Sequence, residues 1–411
     1  MDTPVAQGSD IDRHIRPALH GVAAIFFFNG ALFGAWASRI PAIKERLALD
    51  EAALGLLLLC MAVGAVVSFS LAGRLTDRYG AAPVTFLTAC AYGPLLVALG
   101  LAGNVWLLAI ALFAFGSIHG GMDVAMNIWG TDVERNRTAP VLSRLHGLYS
   151  VGAGVGAVGG ALFAAGGVGP LAHFAIFASA CALPVLALAW RGRWVSLSRK
   201  KSPNAARGPE APSMTIPRGP LLFVGLTFFA SAIGEGAMAD WSAVYLVEVL
   251  STSEATGAIG FGIFSAAMVT MRFSGDVLIQ RLGRVACARI CGIVAATGAL
   301  TVAAAPTVWA CWTGMGLLGL GYSLIAPLAF ARAAADPDHS SGTAMAAVST
   351  LGYGGFLLGP PLIGFVAAAS SLRVSIALLA GLALMITLLA AHLHISGSRR
   401  EPGTGRQELP H

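Results

Sequence analysis

The sequence predicts an all-α polytopic membrane protein, and its composition and pattern of apolar runs are the observations that predict it. Of 411 residues, 56% are hydrophobic and only 11% are charged, and the mean hydropathy is +0.75. Soluble domains carry about 25% charged residues, so this chain lacks the polar side chains that a water-exposed surface needs. Apolar stretches of about 18 residues or more recur along nearly the whole chain, which is typical of transmembrane helices.

Twelve spans are predicted, because a helix needs about 20 residues to cross the hydrocarbon core of a bilayer. A transmembrane β-barrel is excluded because its strands would alternate apolar and polar residues. The predicted spans are 17–38, 52–73, 82–102, 105–129, 142–166, 170–190, 220–246, 255–275, 285–305, 308–330, 342–368 and 373–395.

The distribution of Lys and Arg predicts that both termini lie in the cytoplasm. With the N-terminus inside, most of the 26 basic residues fall in the tails and in the loops after even-numbered spans. The exceptions are Arg39, Lys44, Arg46 and Arg373 on the outer side, and Arg272 within a span. Basic residues concentrate on the cytoplasmic side of membrane proteins. We therefore expect a multi-pass protein of a bacterial-type cytoplasmic membrane.

The longest polar stretch divides the chain into two halves of six spans. Residues 191–218 are basic and rich in Pro, Ser and Gly, which is typical of a linker. We expect an N-terminal six-helix bundle at 1–190, a C-terminal bundle at 219–396 and a polar tail at 397–411.

The two halves also repeat one another in sequence. Trp36 corresponds to Trp241, and Gly80 corresponds to Gly283. Two parallel six-span repeats describe one transporter architecture, in which the substrate binds near the midplane between the repeats.

Residues 70–84, SLAGRLTDRYGAAPV, place three charges between two strongly apolar spans. Within this segment, GRLTDRYG resembles the signature loop between spans 2 and 3 of the major facilitator superfamily, G-x-L-a-D-R-x-G-r-[KR]. Ala81 and Ala82 stand where that family has basic residues. The resemblance covers essentially the whole chain and implies two pseudo-symmetric bundles, a glycine that lets them approach closely, and an Asp–Arg latch at the cytoplasmic gate. The gating residues that this resemblance implies in the first half are Gly73, Asp77, Arg78 and Gly80. The corresponding segment of the second half, GDVLIQRLGR, contributes Asp276, Arg281 and Gly283.

A finer resemblance concerns the substrate. The segments GGMDVAMN and LSRLHGLYSVGAGVGA are similar to those of a branch of sugar- and inositol-type permeases that includes rhizopine transporters. This resemblance implies a sugar- or polyol-like solute.

Ionisable residues inside spans are costly and are functional candidates by default. Span 4 carries His119, Asp123 and Asn127 on one helical face, because each is four residues from the next. The predicted span end places Asp123 about 9 Å from the cytoplasmic surface. The pattern indicates either a proton relay or a gate network with Arg144 or His146.

Span 7 carries two acids, Glu235 and Asp240. Five residues separate them, so they point about 140° apart and we expect that they do not share a site. We expect Glu235 to face Asn29 of span 1 across a central cavity and to bind substrate or a proton. The alternative is a structural hydrogen bond between helices.

Span 8 carries Arg272 and Asp276, one turn apart. They form either a neutral pair near the interface, or a site where Arg272 holds a carboxylate of the substrate or of Asp123. Four aromatic side chains either stack on a ligand or anchor the spans at the membrane interface. They are Trp36, Trp241, Tyr322 and Tyr353.

The sequence carries no Walker A pattern, metal-binding cluster or nucleophile elbow. We expect neither an enzyme nor a cofactor, and a proton gradient as the driving force. The favoured function is proton-coupled transport of a sugar- or polyol-like solute, and the alternative is export of drug-like or natural-product compounds. A cavity lined by Asn, Tyr and Trp would favour the first function, and a wide cavity lined by Met and Phe the second.

A non-transporting sensor and an intramembrane enzyme are more remote alternatives. The expected partners are a small-molecule substrate and the lipid bilayer, and the expected functional unit is a monomer. Nucleic acid is excluded because the basic residues lie in short loops rather than on one face of a domain.

Overall fold

The computed structural model describes residues 4–137, 141–195 and 218–395. Most of the predicted linker, 196–217, and the predicted tail, 397–411, lie outside these described residues. In the part of the chain that is described, all regular structure is helical, and twelve helices are long and apolar enough to cross a membrane. The helices are α1 Pro4–Ser38, α2 Ile40–Arg46, α3 Glu51–Tyr79, α4 Ala81–Leu101, α5 Val105–Arg135, α6 Leu142–Ala165, α7 Pro170–Gly192, α8 Pro220–Val249, α9 Glu254–Leu282, α10 Arg284–Ala304, α11 Val308–Tyr322, α12 Ile325–Ala334, α13 Ser341–Ala369 and α14 Leu372–Leu389, with a 3₁₀ turn at Ala390–Leu393.

Each predicted span coincides with an observed one, but at their C-terminal ends three helices run six or seven residues further than hydropathy predicts. Helices α3, α5 and α9 end at Tyr79, Arg135 and Leu282, beyond the predicted ends at 73, 129 and 275. Charged residues lower the hydropathy without interrupting backbone hydrogen bonds, so these helices continue past the apolar stretch. The segment predicted to be the loop between spans 2 and 3 is therefore helical as far as Tyr79, and Gly80 alone makes the turn into α4.

The tenth span is broken into α11 and α12 at Ser323 and Leu324. A break in a membrane helix leaves carbonyl groups that need other donors. Ser231 Oγ donates to the Tyr322 carbonyl at 3.4 Å, and Arg272 Nε donates to the Ser323 carbonyl at 3.5 Å. The break thus supplies an acceptor for an arginine that lies within the membrane.

Glycines let α1 and α6 approach closely. A Cβ atom added to Gly152 or Gly156 would collide with the carbonyl oxygens of Phe27 and Ala31 on α1. Small residues at helix contacts are the usual means of close packing in lipid, where no hydrophobic effect draws helices together. The glycine-rich segment of span 5 is therefore a packing surface.

Two helix–helix contacts, at corresponding positions of the two repeats, join α1–α7 to α8–α14. Helix α6 packs on α9, and α3 packs on α13, which pairs spans 5 and 8 and spans 2 and 11. Exposed apolar side chains on the outer surface include Leu71, Leu87 and Ile110, which suits contact with lipid. A cavity lies between the two sets of helices.

Candidate functional site

The cavity between the two halves has a volume of about 350 Å³ and is lined by α1, α3, α5 and α6 from the first half and α8, α9, α12 and α13 from the second. Its wall is predominantly apolar and aromatic. The Phe and Met side chains that line it are Phe33, Phe69, Phe228, Phe261, Phe264, Phe330, Phe356, Met61, Met126 and Met268.

Glu235 and Arg272 form an ion pair in this cavity. Arg272 Nη2 lies 3.7 Å from Glu235 Oε1. Arg272 also donates to Ser150 Oγ at 3.0 Å, so that it links α9 to α6 of the other half. The predicted pair of Arg272 with Asp276 does not form among the described residues, and Asp276 is exposed. Of the alternatives for Arg272, the structure therefore shows a bound carboxylate, but that carboxylate is Glu235 rather than Asp123.

Asp123 and His119 both line the cavity, and each has its own hydrogen-bond partner. Asp123 Oδ1 accepts from Asn127 Nδ2 at 3.1 Å, and His119 Nδ1 lies 2.8 Å from the Tyr92 hydroxyl. The described contacts thus do not join His119 directly to Asp123. Because α5 extends to Arg135, Asp123 lies about 18 Å from the helix end rather than about 9 Å. It is therefore at a depth comparable to that of Glu235, which lies about 22 Å from the start of α8.

Asp240 lines the same cavity as Glu235, contrary to the prediction that the two acids do not share a site. Glu235, Gly236, Ala239 and Asp240 all border the cavity. At about 100° per residue these four positions span an arc of about 140° of α8. The expected angle of about 140° between Glu235 and Asp240 agrees with this arc. The cavity borders the whole arc of α8 and therefore contacts both acids.

At one end of the molecule, ion pairs join the two halves. Lys44 Nζ lies 2.5 Å from Glu248 Oε1 and 3.4 Å from Glu51 Oε1, and Arg39 Nη2 lies 3.4 Å from Glu254 Oε2. Lys44 and Arg39 belong to the first half, whereas Glu248 and Glu254 belong to the second. We call this end, defined by these residues, the ion-pair end.

At the opposite end, the described part of the chain shows no corresponding contact of the gating motif. Asp77, Arg78 and Arg281 are exposed, and a Cβ atom added to Gly73 would meet no heavy atom within 4 Å. Among the described residues, Asp77 neither caps a helix nor forms an ion pair. The close approach and the latch that the resemblance implies at Gly73 and Asp77 are thus not formed in this structure. We call this end, defined by residues 73–80, the motif end.

Comparison with known proteins identifies the family. Residues 22–356 match the Major Facilitator Superfamily. The chain is 40% identical over 381 residues to the uncharacterized transporter y4wD of Sinorhizobium fredii, which covers 92% of this chain and 98% of that protein. It is 32% identical over 357 residues to the membrane protein MosC of Rhizobium meliloti, covering 85% and 84% respectively. The chain belongs to the Major Facilitator Superfamily.

The fold is also that of solved major facilitator structures. The crystal structure of the nucleoside transporter NupG superposes with a TM-score of 0.71 over 92% of this chain and 99% of that chain, at 12% sequence identity. The predicted fold class is thereby confirmed. The membrane location and the absence of an enzymatic role are confirmed by the family match and by the relative y4wD, which is named a transporter.

Several residues predicted for the site of this major facilitator protein lie in its core instead of on the cavity wall. Asn29 is fully buried and donates to Met126 Sδ at 3.5 Å, so it lies behind a residue of the wall and does not face Glu235. Trp36, Trp241 and Tyr322 are also buried and are absent from the described lining, whereas Tyr353 does border the cavity.

The sequence did not single out the aromatic wall, nor Tyr149 and Ser150 of α6. Apolar residues on a membrane helix look alike in sequence whether they face lipid, another helix or a cavity. One available signal was the pair Tyr149 and Ser150, two polar residues in an apolar span that also carries Arg144 and His146.

Proposed function

We propose that this chain is a proton-coupled secondary active transporter of a small organic solute, with the central cavity as its binding site. The observation that carries the proposal is the Glu235–Arg272 ion pair in a cavity of about 350 Å³ between the two halves. That volume lies in the range of about 300–1,000 Å³ for small-molecule sites. The proposed location is a bacterial cytoplasmic membrane with both termini inside, and the proposed unit is a monomer.

The contacts of Arg272 support proton coupling. A charge in a membrane span is costly unless it is paired. When Glu235 takes up a proton, Arg272 loses its anionic partner and keeps its bonds to Ser150 and the Ser323 carbonyl. Because Ser150 lies on α6 and Arg272 on α9, the charge of Glu235 acts on a contact between the halves. Proton uptake is thereby linked to their relative position, as alternating access requires.

The composition of the wall favours an amphipathic solute, which is the second substrate class that the sequence indicates. Seven Phe and three Met side chains line the cavity. Aromatic and Met side chains bind apolar bodies by contact area rather than by directed hydrogen bonds. Drug-like or natural-product compounds with an apolar body and a polar end that reaches an acid of the cavity fit this wall.

A sugar or polyol is the second candidate, and one observation favours it. The polar groups Asp123, Tyr149, Ser150, Ser265 and Tyr353 border the cavity together. Hydroxyl and carboxylate oxygens accept hydrogen bonds from solute hydroxyl groups, and the Ser and Tyr hydroxyls can also donate. This strip could bind a polyhydroxylated solute against the aromatic wall.

Proton flux in proteoliposomes tests the proposal and separates the two substrate classes. The purified chain is reconstituted with a pH-sensitive dye inside, and solutes are added from one side. The probes are myo-inositol and mannitol as polyols, and phenyltrimethylammonium and ethidium as amphipathic solutes. None of these probes carries protons across lipid by itself, so a dye response reports coupled transport.

We expect the amphipathic probes to drive proton movement that protein-free vesicles do not show. A response to the polyols alone would assign the site to the second candidate. Solute fluxes that are identical with and without a pH gradient would contradict proton coupling.

A further inference from the structure

Asp240 is a buried carboxylate in the cavity wall that has no ion-pair partner among the residues the structure describes. Its exposed fraction is 4%, and it lies on α8 among residues that border the cavity. Oδ1 has no hydrogen-bond partner, and no Lys, Arg or His in the described part of the chain forms an ion pair with Asp240.

The two other acids of the cavity differ from Asp240 because the chain itself compensates them. Glu235 is paired with Arg272, and Asp123 accepts from Asn127. A carboxylate removed from water is stabilised by a counter-charge, by hydrogen-bond donors or by taking up a proton. A positive charge on a solute that enters the cavity would therefore stabilise the ionised form of Asp240.

We propose that Asp240 is the docking site for the ammonium group of a transported organic cation. This inference deepens the proposed function and rests on it, because it uses the same cavity. It assigns the substrate to small amines with an apolar or aromatic body.

The wall of the cavity suits such a cation. An ammonium group is attracted to the faces of aromatic rings as well as to a carboxylate. Phe33, Phe261, Phe264 and Phe356 line the same cavity, and the ring of Phe356 lies against Gly236, one turn from Asp240. The aromatic body of such a solute can pack against these Phe rings, and its positive charge can bind the carboxylate of Asp240.

The position of Asp240 along α8 defines the orientation of the solute. Asp240 lies five residues beyond Glu235, about 7.5 Å further toward the ion-pair end. Glu248, which binds Lys44 between the halves, lies about 12 Å beyond Asp240 on the same helix. The ammonium group would therefore lie nearer to the ion-pair end, and the rest of the solute nearer to Glu235 and Arg272.

Binding of a matched pair of probes tests the assignment. 2-Phenylethylamine and 2-phenylethanol have nearly the same shape, and only the amine is positively charged at neutral pH. Their affinities for the purified full-length chain in detergent are measured by titration calorimetry. No gradient is present, so a failure of proton coupling does not affect this measurement, and a failure here leaves gradient-driven transport of other solutes untouched.

We expect the unmodified chain to bind the amine at least about tenfold more tightly than the alcohol. Asp240→Asn should abolish that preference, and Asp240→Ser serves as a second neutral variant if the first does not fold. Asp240→Glu, which keeps the charge, and Asp338→Asn, which removes an exposed acid outside the cavity, should both retain it.

Three results would overturn the assignment. The first is equal affinity for the two probes, or no binding of the amine, in the unmodified chain. The second is a preference that survives in the neutral variants of Asp240. The third is a preference that is lost in Glu235→Gln but kept in Asp240→Asn, which would move the cation site to Glu235.

Discussion

Gly80 and Gly283 adopt the same unusual backbone conformation at corresponding positions of the two repeats. Gly80 has φ 92° and ψ 152°, and Gly283 has φ 80° and ψ 158°. Each glycine ends one helix and precedes the next, and each N–H donates to the carbonyl four residues earlier at 2.9 Å. This region of φ and ψ is essentially restricted to glycine. The final glycine of the motif is therefore required by the turn itself, in both halves.

We predict that Gly80→Ala and Gly283→Ala each destabilise the protein. A side chain held in this conformation costs on the order of 1–3 kcal/mol. The measurement is the apparent Tm of the purified protein in detergent at a fixed scan rate, since unfolding of such proteins is commonly irreversible.

Gly73→Ala is the matched control for this pair. Gly73 lies inside α3, with open space around an added Cβ atom, and Ala is favoured over Gly in a helix by about 0.5–1 kcal/mol. We expect the Tm of Gly73→Ala to stay the same or rise. An equal loss of stability in all three variants would refute the conformational argument.

We predict that Glu235→Gln uncouples transport from the proton gradient. The amide keeps the shape of the side chain but neither ionises nor pairs with Arg272. Accumulation driven by a pH gradient should fall at least about tenfold, within the usual range of coupling between ligands. Exchange of labelled for unlabelled solute, which needs no net proton movement, should persist.

Asp338→Asn is the control for that experiment, because Asp338 is an exposed acid after α12 that does not border the cavity. Its accumulation should match that of the unmodified chain. Undiminished accumulation in Glu235→Gln would remove Glu235 from the coupling mechanism.

Hydropathy predicted the number of spans well and their ends less well. A span of about 20 apolar residues is required by the thickness of the bilayer, so the centre of each helix follows from composition. The end of α3 was placed too early because Arg74 and Asp77 lower the hydropathy, although both continue the helix. The break at Ser323 was not foreseen, because its carbonyl is satisfied by Arg272 from a distant part of the chain.

The site was predictable as a set of residues but not as an arrangement. Asp123, Glu235 and Arg272 stood out because charges are rare in spans, and all three border the cavity. Which of them pair depends on how α8 and α9 pack, and sequence spacing does not give that. The roles of these residues in transport stay predictions.

We predict that Asp77→Asn slows the transport cycle without weakening solute binding. In this structure Asp77 is exposed, so its loss should not change the stability of this conformation. The resemblance to the family motif implies that Asp77 latches the motif end in another conformation. If that contact is worth about 1 kcal/mol, the maximal rate should fall about fivefold. The measurement is the rate and half-saturation of solute flux, and a change confined to half-saturation would contradict the latch.

Asp336 follows the end of α12 and provides a prediction of pH dependence outside the membrane. Burial alone would raise the pKa of its carboxyl, but His339 at 2.8 Å and Arg332 at 2.9 Å outweigh burial and hold the pKa below 3.8, its ordinary value. A lowered pKa in the folded state means that these contacts stabilise the protein above that ordinary value and are lost as the pH falls through the lowered one. Asp336→Asn should therefore reduce the Tm at pH 7, by an amount equivalent to about 1–2 kcal/mol.

The difference in Tm between Asp336→Asn and the unmodified chain should shrink progressively below about pH 4. At low pH the carboxyl of Asp336 becomes protonated and, like Asn, carries no charge. Asp338→Asn, at an exposed acid two residues away, is the control and should leave the Tm unchanged. A loss of stability in Asp336→Asn that is independent of pH would show that charge on Asp336 is not the cause.

The ion-pair end gives a prediction about gating that does not depend on the substrate. Lys44 contacts Glu248 of the other half, whereas the described hydrogen bonds of Arg46, on the same short helix, go to the Gly100 and Ala102 carbonyls of its own half. Removing Lys44 should weaken the closure between the halves, and removing Arg46 should not. Ser265, which lines the cavity, is replaced by Cys as a reporter in a background without the native cysteines.

In right-side-out membranes, a membrane-impermeant maleimide should label that cysteine slowly when the ion pair is present. Lys44→Gln and Glu248→Gln should speed the labelling, and Arg46→Gln should leave it slow. The exchanged pair Lys44→Glu with Glu248→Lys should restore slow labelling, because the attraction between the halves is preserved with its signs reversed. Because a partly exposed ion pair contributes only about 1 kcal/mol, the expected change is about fivefold. Equal labelling in Lys44→Gln and Arg46→Gln would mean that the contact between Lys44 and Glu248 does not hold this end of the cavity closed.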